Sequence, residues 1–266
     1  MKRTIRSLIA ILTAWTVCLF GGSTVLSLSP ENDVYLAETP DAGMEYQNLL
    51  VFFGESTTAH LANRGVLSGG KETDQVFANA SGTCLLSPKI GSQTVRDPKC
   101  GKDMPLTELI AKARPAYLVL SFGLNGIVGF SKNHDTYLQS YQKLIDAVQS
   151  ASPSTAIILQ TVYPVSAPTD GSKWHFSQSA KEINQMICDL NSCLPTLAAA
   201  NTGVKIADTA SVLRAADGSL DPAFSAGDGI HLNANAYTQI LRYLRTHAYH
   251  TPMPLPISPD QWRNQT

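Results

Sequence analysis

Short apolar runs recur along the chain, and polar or amphipathic stretches separate them. Runs of about four to eight aliphatic and aromatic residues are typical of strands that are buried on both faces of a parallel sheet. Five runs of this kind predict strands, at 49–53, 75–78, 116–122, 155–163 and 204–208.

Between the strands, apolar positions that recur every three or four residues predict helices with one buried face. The three helical stretches lie at 137–148, 177–199 and 235–247. Pro195 is expected to break or kink the second stretch, because proline lacks the N–H that a helix interior needs. Asn233 or Asn235 is expected to cap the third.

Strands that alternate with helices predict a parallel sheet covered by helices on both faces, with right-handed crossovers. We expect one domain over 48–250, preceded by a polar linker at 30–47 and followed by a Pro-rich tail at 251–266. The 266 residues are 44% hydrophobic and 15% charged, which suits a sizeable core. The net charge of −1 gives no electrostatic sign of nucleic-acid binding.

The N-terminal segment, 1–29, has the pattern of an export signal. Lys2, Arg3 and Arg6 precede an apolar stretch that carries no charge over 7–29. A basic start followed by such a stretch is typical of a signal peptide, and the length also suits an N-terminal membrane anchor. In either case we expect an extracellular or cell-surface protein, with membrane attachment through this segment alone.

Four cysteines follow the export segment. An even number of cysteines in an exported chain predicts disulfides, and the sequence leaves their pairing open. The alternative is four free thiols. No C-x-x-C pair is present and no histidine lies at ligand spacing from these cysteines, so we expect no zinc site. The four are Cys84, Cys100, Cys188 and Cys193.

Three polar loops can carry chemistry, because the carboxyl ends of parallel strands meet at one edge of the sheet. Ser56 in the first loop is a candidate nucleophile, and a serine hydroxyl needs a base and an acid that orients the base. Asp228 and His231 are three positions apart in the last loop, so they can share one side of a turn. The loops read GESTT at 54–58, SFGLNG at 121–126 and GDGIHLN at 227–233.

An acyl-transfer site also needs fixed donors for the oxyanion. The candidates are the backbone N–H of Ser56, the backbone N–H of Gly82 in the segment NASGT, and the side-chain amide of Asn125. Each residue also has a plainer interpretation. Ser56 could cap a helix, Gly82 could serve only a turn, and Asn125 could merely tolerate a left-handed backbone. His60, four positions after Ser56, is a rival base.

This set of residues resembles the SGNH/GDSL hydrolase family. Its first block, G-D-S-x-T, corresponds to 54–58, and its oxyanion glycine corresponds to Gly82. Its third block, G-x-N-D, corresponds to 123–126, and its fifth block, D-x-x-H, corresponds to 228–231. The resemblance spans about 48–247. Two residues depart from the family pattern, since Glu55 replaces an aspartate of the first block and Gly126 replaces an aspartate of the third.

The resemblance implies a flavodoxin-like three-layer α/β/α sandwich with a five-stranded parallel sheet. It also implies that Ser56 attacks an ester, that His231 acts as the base and that Asp228 orients His231. Ser56, Gly82 and Asn125 would bind the oxyanion, and no cofactor or metal is needed.

The expected function is an exported serine esterase that acts through an acyl-enzyme intermediate. Its substrate would be a small-molecule or polysaccharide ester, such as an acetylated carbohydrate or a lipid ester, and the acyl chain length stays open. Two alternatives are a non-catalytic glycan-binding module on the same fold and an acyltransferase that passes the acyl group to a sugar hydroxyl.

Overall fold

A computed structural model describes residues 34–250 of the chain. The predicted signal peptide or anchor at 1–29 and the predicted tail at 251–266 lie outside these residues.

Seven strands follow one another along the chain: β1 (Leu50–Gly54), β2 (Val76–Phe77), β3 (Thr94–Arg96), β4 (Asp103–Pro105), β5 (Tyr117–Ser121), β6 (Ala156–Gln160) and β7 (Val204–Ala207). Five of these strands form a parallel central sheet, in the spatial order β2-β1-β5-β6-β7, and β3 and β4 form a separate antiparallel pair. This order, with helices on both faces, is that of the flavodoxin-like fold, so the predicted fold class is confirmed.

Two groups of α-helices cover the sheet, and short 3-10 turns lie at Gly70–Glu72, Ile90–Ser92, Ser211–Leu213 and Pro222–Phe224. Within residues 34–250, none of the helices has both the length and the apolar character that crossing a membrane requires. The helices are α1 (Gly43–Leu49), α2 (Ser56–Asn63), α3 (Leu106–Ala113), α4 (Ile127–Lys132), α5 (His134–Ala151), α6 (Ala180–Asn191), α7 (Leu194–Ala200) and α8 (Ala234–Thr246).

Alternate residues of each central strand face opposite layers of the core. In β1, Val51 and Phe53 belong to the apolar cluster that includes residues of α3 to α7. Leu50 and Phe52 belong to the cluster that includes residues of α1, α2 and α8. Because both faces are buried, β1 reads as a continuous apolar run and not as an alternating one.

The predicted strand at 155–163 is shorter in the structure, where β6 ends at Gln160. Beyond it, the backbone N–H of Val162 donates to Asn191 Oδ1 at 2.7 Å, and Asn191 Nδ2 donates to the Val162 carbonyl at 3.1 Å. A side-chain amide thus replaces the neighbouring strand at this position. The other four predicted strands are confirmed to within two residues at each end.

The predicted helix at 177–199 consists of two helices, α6 and α7. Pro195 lies in the first turn of α7, where its missing N–H leaves no intrahelical hydrogen bond unmade. The expected break at this proline is therefore confirmed. Asn233 caps α8, because its Oδ1 accepts the N–H of Ala236 at 3.1 Å.

The prediction that 30–47 is a linker is corrected from Val34 onward. Val34 and Leu36 are buried, the Leu36 N–H donates to the Ile206 carbonyl at 2.8 Å, and the Ile206 N–H donates to the Val34 carbonyl at 2.9 Å. Helix α1 follows in the same stretch. The stretch is polar overall, so Val34 and Leu36 gave no signal in the sequence that they pack on the domain.

The predicted disulfides are not formed, since Cys84, Cys100, Cys188 and Cys193 are all free thiols. The Cys100 thiol donates to Asp97 Oδ2 at 3.2 Å, and the Cys193 thiol donates to the Asp189 carbonyl at 3.4 Å. Cys84 is buried, and this burial raises the pKa of its thiol to about 11. The even number of cysteines was therefore a misleading signal, because it carries no information on which thiols lie together.

Candidate active site

The site begins where β1 passes into α2. Gly54 ends β1 and pairs with Ser121, the last residue of β5, so two strand ends lie side by side. A Cβ at Gly54 would clash with Thr58 Oγ1 and with the Ser121 carbonyl oxygen, which explains the glycine. Ser56 is the first residue of α2, and the sheet edge that carries it also carries the loop after β5.

Ser56, His231 and Asp228 form a continuous hydrogen-bonded chain. Ser56 Oγ lies 3.1 Å from His231 Nε2, and His231 Nδ1 lies 2.6 Å from Asp228 Oδ2. A carboxylate only accepts, so Nδ1 carries the proton and Nε2 is free to accept the serine proton. The structure brings these three predicted residues together across 175 positions of sequence.

The turn that carries Asp228 and His231 is held closed by its own backbone. The Ala226 N–H donates to the His231 carbonyl at 2.8 Å. At Gly229, φ is +81°, and a Cβ would clash with the Ser166 carbonyl, so glycine is required there. Asp228 and His231 therefore lie on a turn whose shape is set by its backbone contacts.

Asp228 is held in its ionised form by hydrogen bonds. Its Oδ1 accepts the N–H groups of Ile230 at 2.9 Å and His231 at 2.8 Å. Burial alone would raise the pKa of Asp228, but the His231 ring and these two N–H groups outweigh it and lower the pKa to about 2. The carboxylate is thus charged throughout the neutral range.

Helix α8 links the turn to the helix of Ser56. The Tyr237 hydroxyl on α8 donates to the Thr57 carbonyl on α2 at 2.6 Å, and Tyr237 is almost fully buried. Asn233, which caps α8, also donates from Nδ2 to the carbonyls of Ala223 at 2.8 Å and Ser225 at 3.1 Å. His231 and Ser56 are therefore linked through the contact of α8 with α2 as well as by their direct hydrogen bond.

Glu55, which departs from the family pattern, binds the loop after β5. Its Oε1 accepts the Gly123 N–H at 2.9 Å and its Oε2 accepts the Asn125 N–H at 3.1 Å. Glu55 is 4% exposed. Burial raises the pKa of this carboxyl to about 7, although the backbone hydrogen bonds oppose the rise. At Gly126, the second departure, φ is +91°, which favours glycine over the aspartate of the family pattern.

The Asn125 side chain contacts a residue that the sequence analysis did not identify. Asn125 Nδ2 donates to Thr83 Oγ1 at 3.0 Å, across 42 positions of sequence. The only signal in the sequence was the position of Thr83 directly after the candidate oxyanion glycine, Gly82. Thr83 therefore joins the loop after β2 to the loop after β5.

Gly82 and Ser56 both line a cavity of about 470 Å³. Its φ is +69°, and its N–H donates to the Asn79 carbonyl at 3.0 Å. The N–H is thus engaged in a turn, which is the plainer of the two interpretations. The role of Gly82 as an oxyanion donor stays a prediction.

His60 lies against the ring of His231, with the two ring centroids 4.5 Å apart and the planes tilted by 37°. Burial lowers the pKa of His60, and electrostatic interactions with its neighbours His231 and Arg64 lower it further. Ser56 hydrogen-bonds His231, so the geometry favours His231 over His60 as the base. Among residues 34–250, no three His, Cys, Asp or Glu side chains are grouped so that they could hold a metal ion.

Solved structures are similar to this chain at low sequence identity. A protein from Streptococcus pneumonia described as a "putative platelet activating factor" superposes with a TM-score of 0.50 at 18% identity, over 82% of this chain and 96% of that chain. A carbohydrate esterase family 3 protein from Talaromyces cellulolyticus gives a TM-score of 0.44 at 16% identity, over 74% of this chain and 93% of that chain.

A search of curated proteins found no match to this sequence. The sequence model of the GDSL-like Lipase/Acylhydrolase family, in contrast, matches residues 52–239, which is well over half of the chain. The matched region contains the strand ends, the loops and the turn described above. The chain therefore belongs to the GDSL-like lipase/acylhydrolase family.

Proposed function

We propose that the protein is an exported serine esterase that hydrolyses an acyl ester through a Ser56-His231-Asp228 triad. One observation carries the proposal, the hydrogen-bonded chain from Ser56 Oγ to His231 Nε2 and from His231 Nδ1 to Asp228 Oδ2. Membership of an acylhydrolase family agrees with it. Export rests on the basic and apolar pattern of 1–29.

In the first half-reaction, Ser56 Oγ attacks the ester carbonyl carbon while its proton passes to His231 Nε2. The Asp228 carboxylate stabilises the imidazolium that results. When the tetrahedral intermediate collapses, the bond to the alcohol breaks and Nε2 returns the proton to the departing oxygen. The products are the free alcohol and an acyl-Ser56 ester.

In the second half-reaction, His231 takes a proton from water, and the resulting hydroxide attacks the acyl carbon. The Ser56 oxygen leaves and recovers its proton from Nε2, which releases the carboxylic acid. A sugar hydroxyl in place of water would make the same site an acyltransferase.

The oxyanion is stabilised by groups at the front of α2 and after β5. Ser56 is the first residue of α2, and the first N–H groups of a helix have no intrahelical partner. The Asn125 amide supplies a second donor, and one of its two Nδ2 hydrogens already bonds Thr83. The Gly82 N–H would supply a third donor only if it broke its hydrogen bond to the Asn79 carbonyl.

The substrate we propose is an acyl ester of a polar alcohol, with an acetylated carbohydrate ahead of a lipid ester. The cavity beside Ser56 is lined by small side chains such as Ala59 and Ala62 and by the amides of Asn63 and Asn79. Such a surface has hydrogen-bonding groups for a polar alcohol.

The Ser56→Ala variant tests the proposal. We expect kcat/KM for p-nitrophenyl acetate to fall by about 10⁴-fold or more, because the nucleophile is removed. Circular dichroism and the melting temperature should stay unchanged. The matched control is Ser192→Ala, which removes an exposed hydroxyl that follows α6 and bonds the Asp189 carbonyl of that helix.

Equal activity in Ser56→Ala and the wild type would exclude the serine mechanism. A wild type that retains acetylated xylan on a column without any turnover would support the glycan-binding alternative. Transfer of acetate to an added sugar, measured by product analysis, would support the acyltransferase.

A further inference from the structure

Asn125 is fixed at two separate points. Its backbone N–H donates to Glu55 Oε2 at 3.1 Å, and its side-chain Nδ2 donates to Thr83 Oγ1 at 3.0 Å. Glu55 directly precedes Ser56, so the first contact sets the distance of the Asn125 backbone from the candidate nucleophile. The second contact sets the rotation of the amide, which the first leaves free.

Thr83 is itself held firmly by the side chain of Asn79. The Thr83 N–H donates to Asn79 Oδ1 at 3.1 Å, and Asn79 Nδ2 donates to the Thr83 carbonyl at 2.6 Å. The Gly82 N–H donates to the Asn79 carbonyl at 3.0 Å. Asn79 thus satisfies both backbone groups of Thr83, as a paired strand would, and the threonine hydroxyl is held at a defined point.

The geometry assigns to Thr83 the role of a positioning residue that fixes the Asn125 amide for the oxyanion, an inference that rests on the proposed function. The Thr83 hydroxyl accepts one of the two hydrogens on Asn125 Nδ2. The other hydrogen on Nδ2 is then left for the substrate. An oxyanion donor contributes most when it needs no reorientation during the reaction.

The two ends of this contact come from different loops. Thr83 follows β2 and Asn125 follows β5, and β1 lies between these two strands in the sheet. The contact therefore spans the end of β1, where Ser56 lies. A change in the loop after β2 would alter the oxyanion donor without touching Ser56, His231 or Asp228.

The Thr83→Val variant removes the acceptor and keeps the shape of the side chain. We expect kcat for p-nitrophenyl acetate to fall about tenfold, which is the effect of one hydrogen bond, while KM changes less than about twofold. Thr83→Ser keeps the hydroxyl and should retain most of the wild-type kcat. The matched control is Thr238→Val on α8, which removes a hydroxyl that bonds the Ala234 carbonyl within its own helix.

A double-mutant cycle separates positioning from general stabilisation of the loop. Asn125→Ala should lower kcat by about 10²-fold through loss of the donor. Thr83→Val added to Asn125→Ala should then have no further effect, because the amide that it positions is gone. A further tenfold loss in the double variant, or a Thr83→Val kcat equal to that of the wild type, would overturn the inference.

The contact can also be tested without any catalysis, by NMR of the side-chain amide signals of Asn125, assigned from their loss in Asn125→Ala. In Thr83→Val we expect these signals to shift and the amide to become more mobile, whereas Thr83→Ser should resemble the wild type. Unchanged signals in Thr83→Val would overturn the inference whether or not the protein is an esterase. Absence of turnover in the wild type would refute the proposed function, and the NMR result would still decide the contact.

Discussion

The Asp228→Asn substitution probes how the His231 ring is held. In the wild type, Asp228 Oδ2 accepts from His231 Nδ1 at 2.6 Å, while Oδ1 accepts the N–H groups of Ile230 and His231 at 2.9 and 2.8 Å. An asparagine has one oxygen and one NH₂ group. Two fixed N–H donors hold the oxygen at the backbone, so the NH₂ group must face Nδ1.

This arrangement reverses the tautomer of His231. Nδ1 must now accept, the ring proton moves to Nε2, and Nε2 donates to Ser56 Oγ at the position where it previously accepted, 3.1 Å away. The base is therefore blocked although every side chain keeps its place. We expect kcat to fall by about 10⁴-fold, the size of the effect when the tautomer of a triad histidine is wrong. This loss corresponds to about 5 kcal/mol of transition-state stabilisation.

The assay is hydrolysis of p-nitrophenyl acetate near pH 7.5, with thermal unfolding to show that the variant folds. Asp221→Asn is the matched control, because Asp221 caps a 3-10 turn by accepting the Ala223 N–H at 2.8 Å, and asparagine caps equally well. The control should have wild-type activity. If Asp228→Asn keeps kcat within about tenfold of the wild type, the reasoning on the tautomer is wrong.

Two further variants test the neighbours of the triad. Burial raises the pKa of Glu55 from 4.5 to about 7, so the folded state holds this proton more tightly than the unfolded state. Its contribution to the free energy of unfolding is therefore complete below pH 4.5 and falls by about 3 kcal/mol as the pH rises to 7. Urea unfolding should show that Glu55→Gln loses this pH dependence, and an identical dependence in both proteins would contradict the assignment. His60→Phe keeps a ring against His231 and should keep kcat/KM within about tenfold of the wild type, because Ser56 bonds His231, whereas a loss of about 10³-fold would make His60 the base.

The central strands and long helices are predictable because burial determines their composition. All five residues of β1 and of β5 are buried, so each strand reads as an apolar run. The β3-β4 pair is not predictable in this way, because β3 has three residues and buries only Val95. The packing of Val34 and Leu36 on Ile206 also escaped prediction, since two apolar residues in a polar stretch give no periodic signal.

The same limit applies to the site. The three residues of the proposed triad are predictable because each lies in a short motif and the motifs follow one another in a fixed order. The contacts of Glu55 with Gly123 and of Thr83 with Asn125 join residues 68 and 42 positions apart, and no local pattern encodes them. For the contacts of Glu55 there was one indication in the sequence. Glu55 directly follows a buried strand, and a buried carboxylate requires hydrogen-bond donors around it.

The pairing of Val34 and Leu36 with Ile206 has a consequence for solubility. β7 is the outermost strand of the sheet on its side, and an uncovered outer strand offers free N–H and carbonyl groups to any other extended chain. The segment at 34–36 occupies these groups at Ile206 and so blocks the attachment of a second molecule there. A chain shortened to begin at Ala37 would keep α1 and every residue of the proposed triad, and yet tend to self-associate along β7.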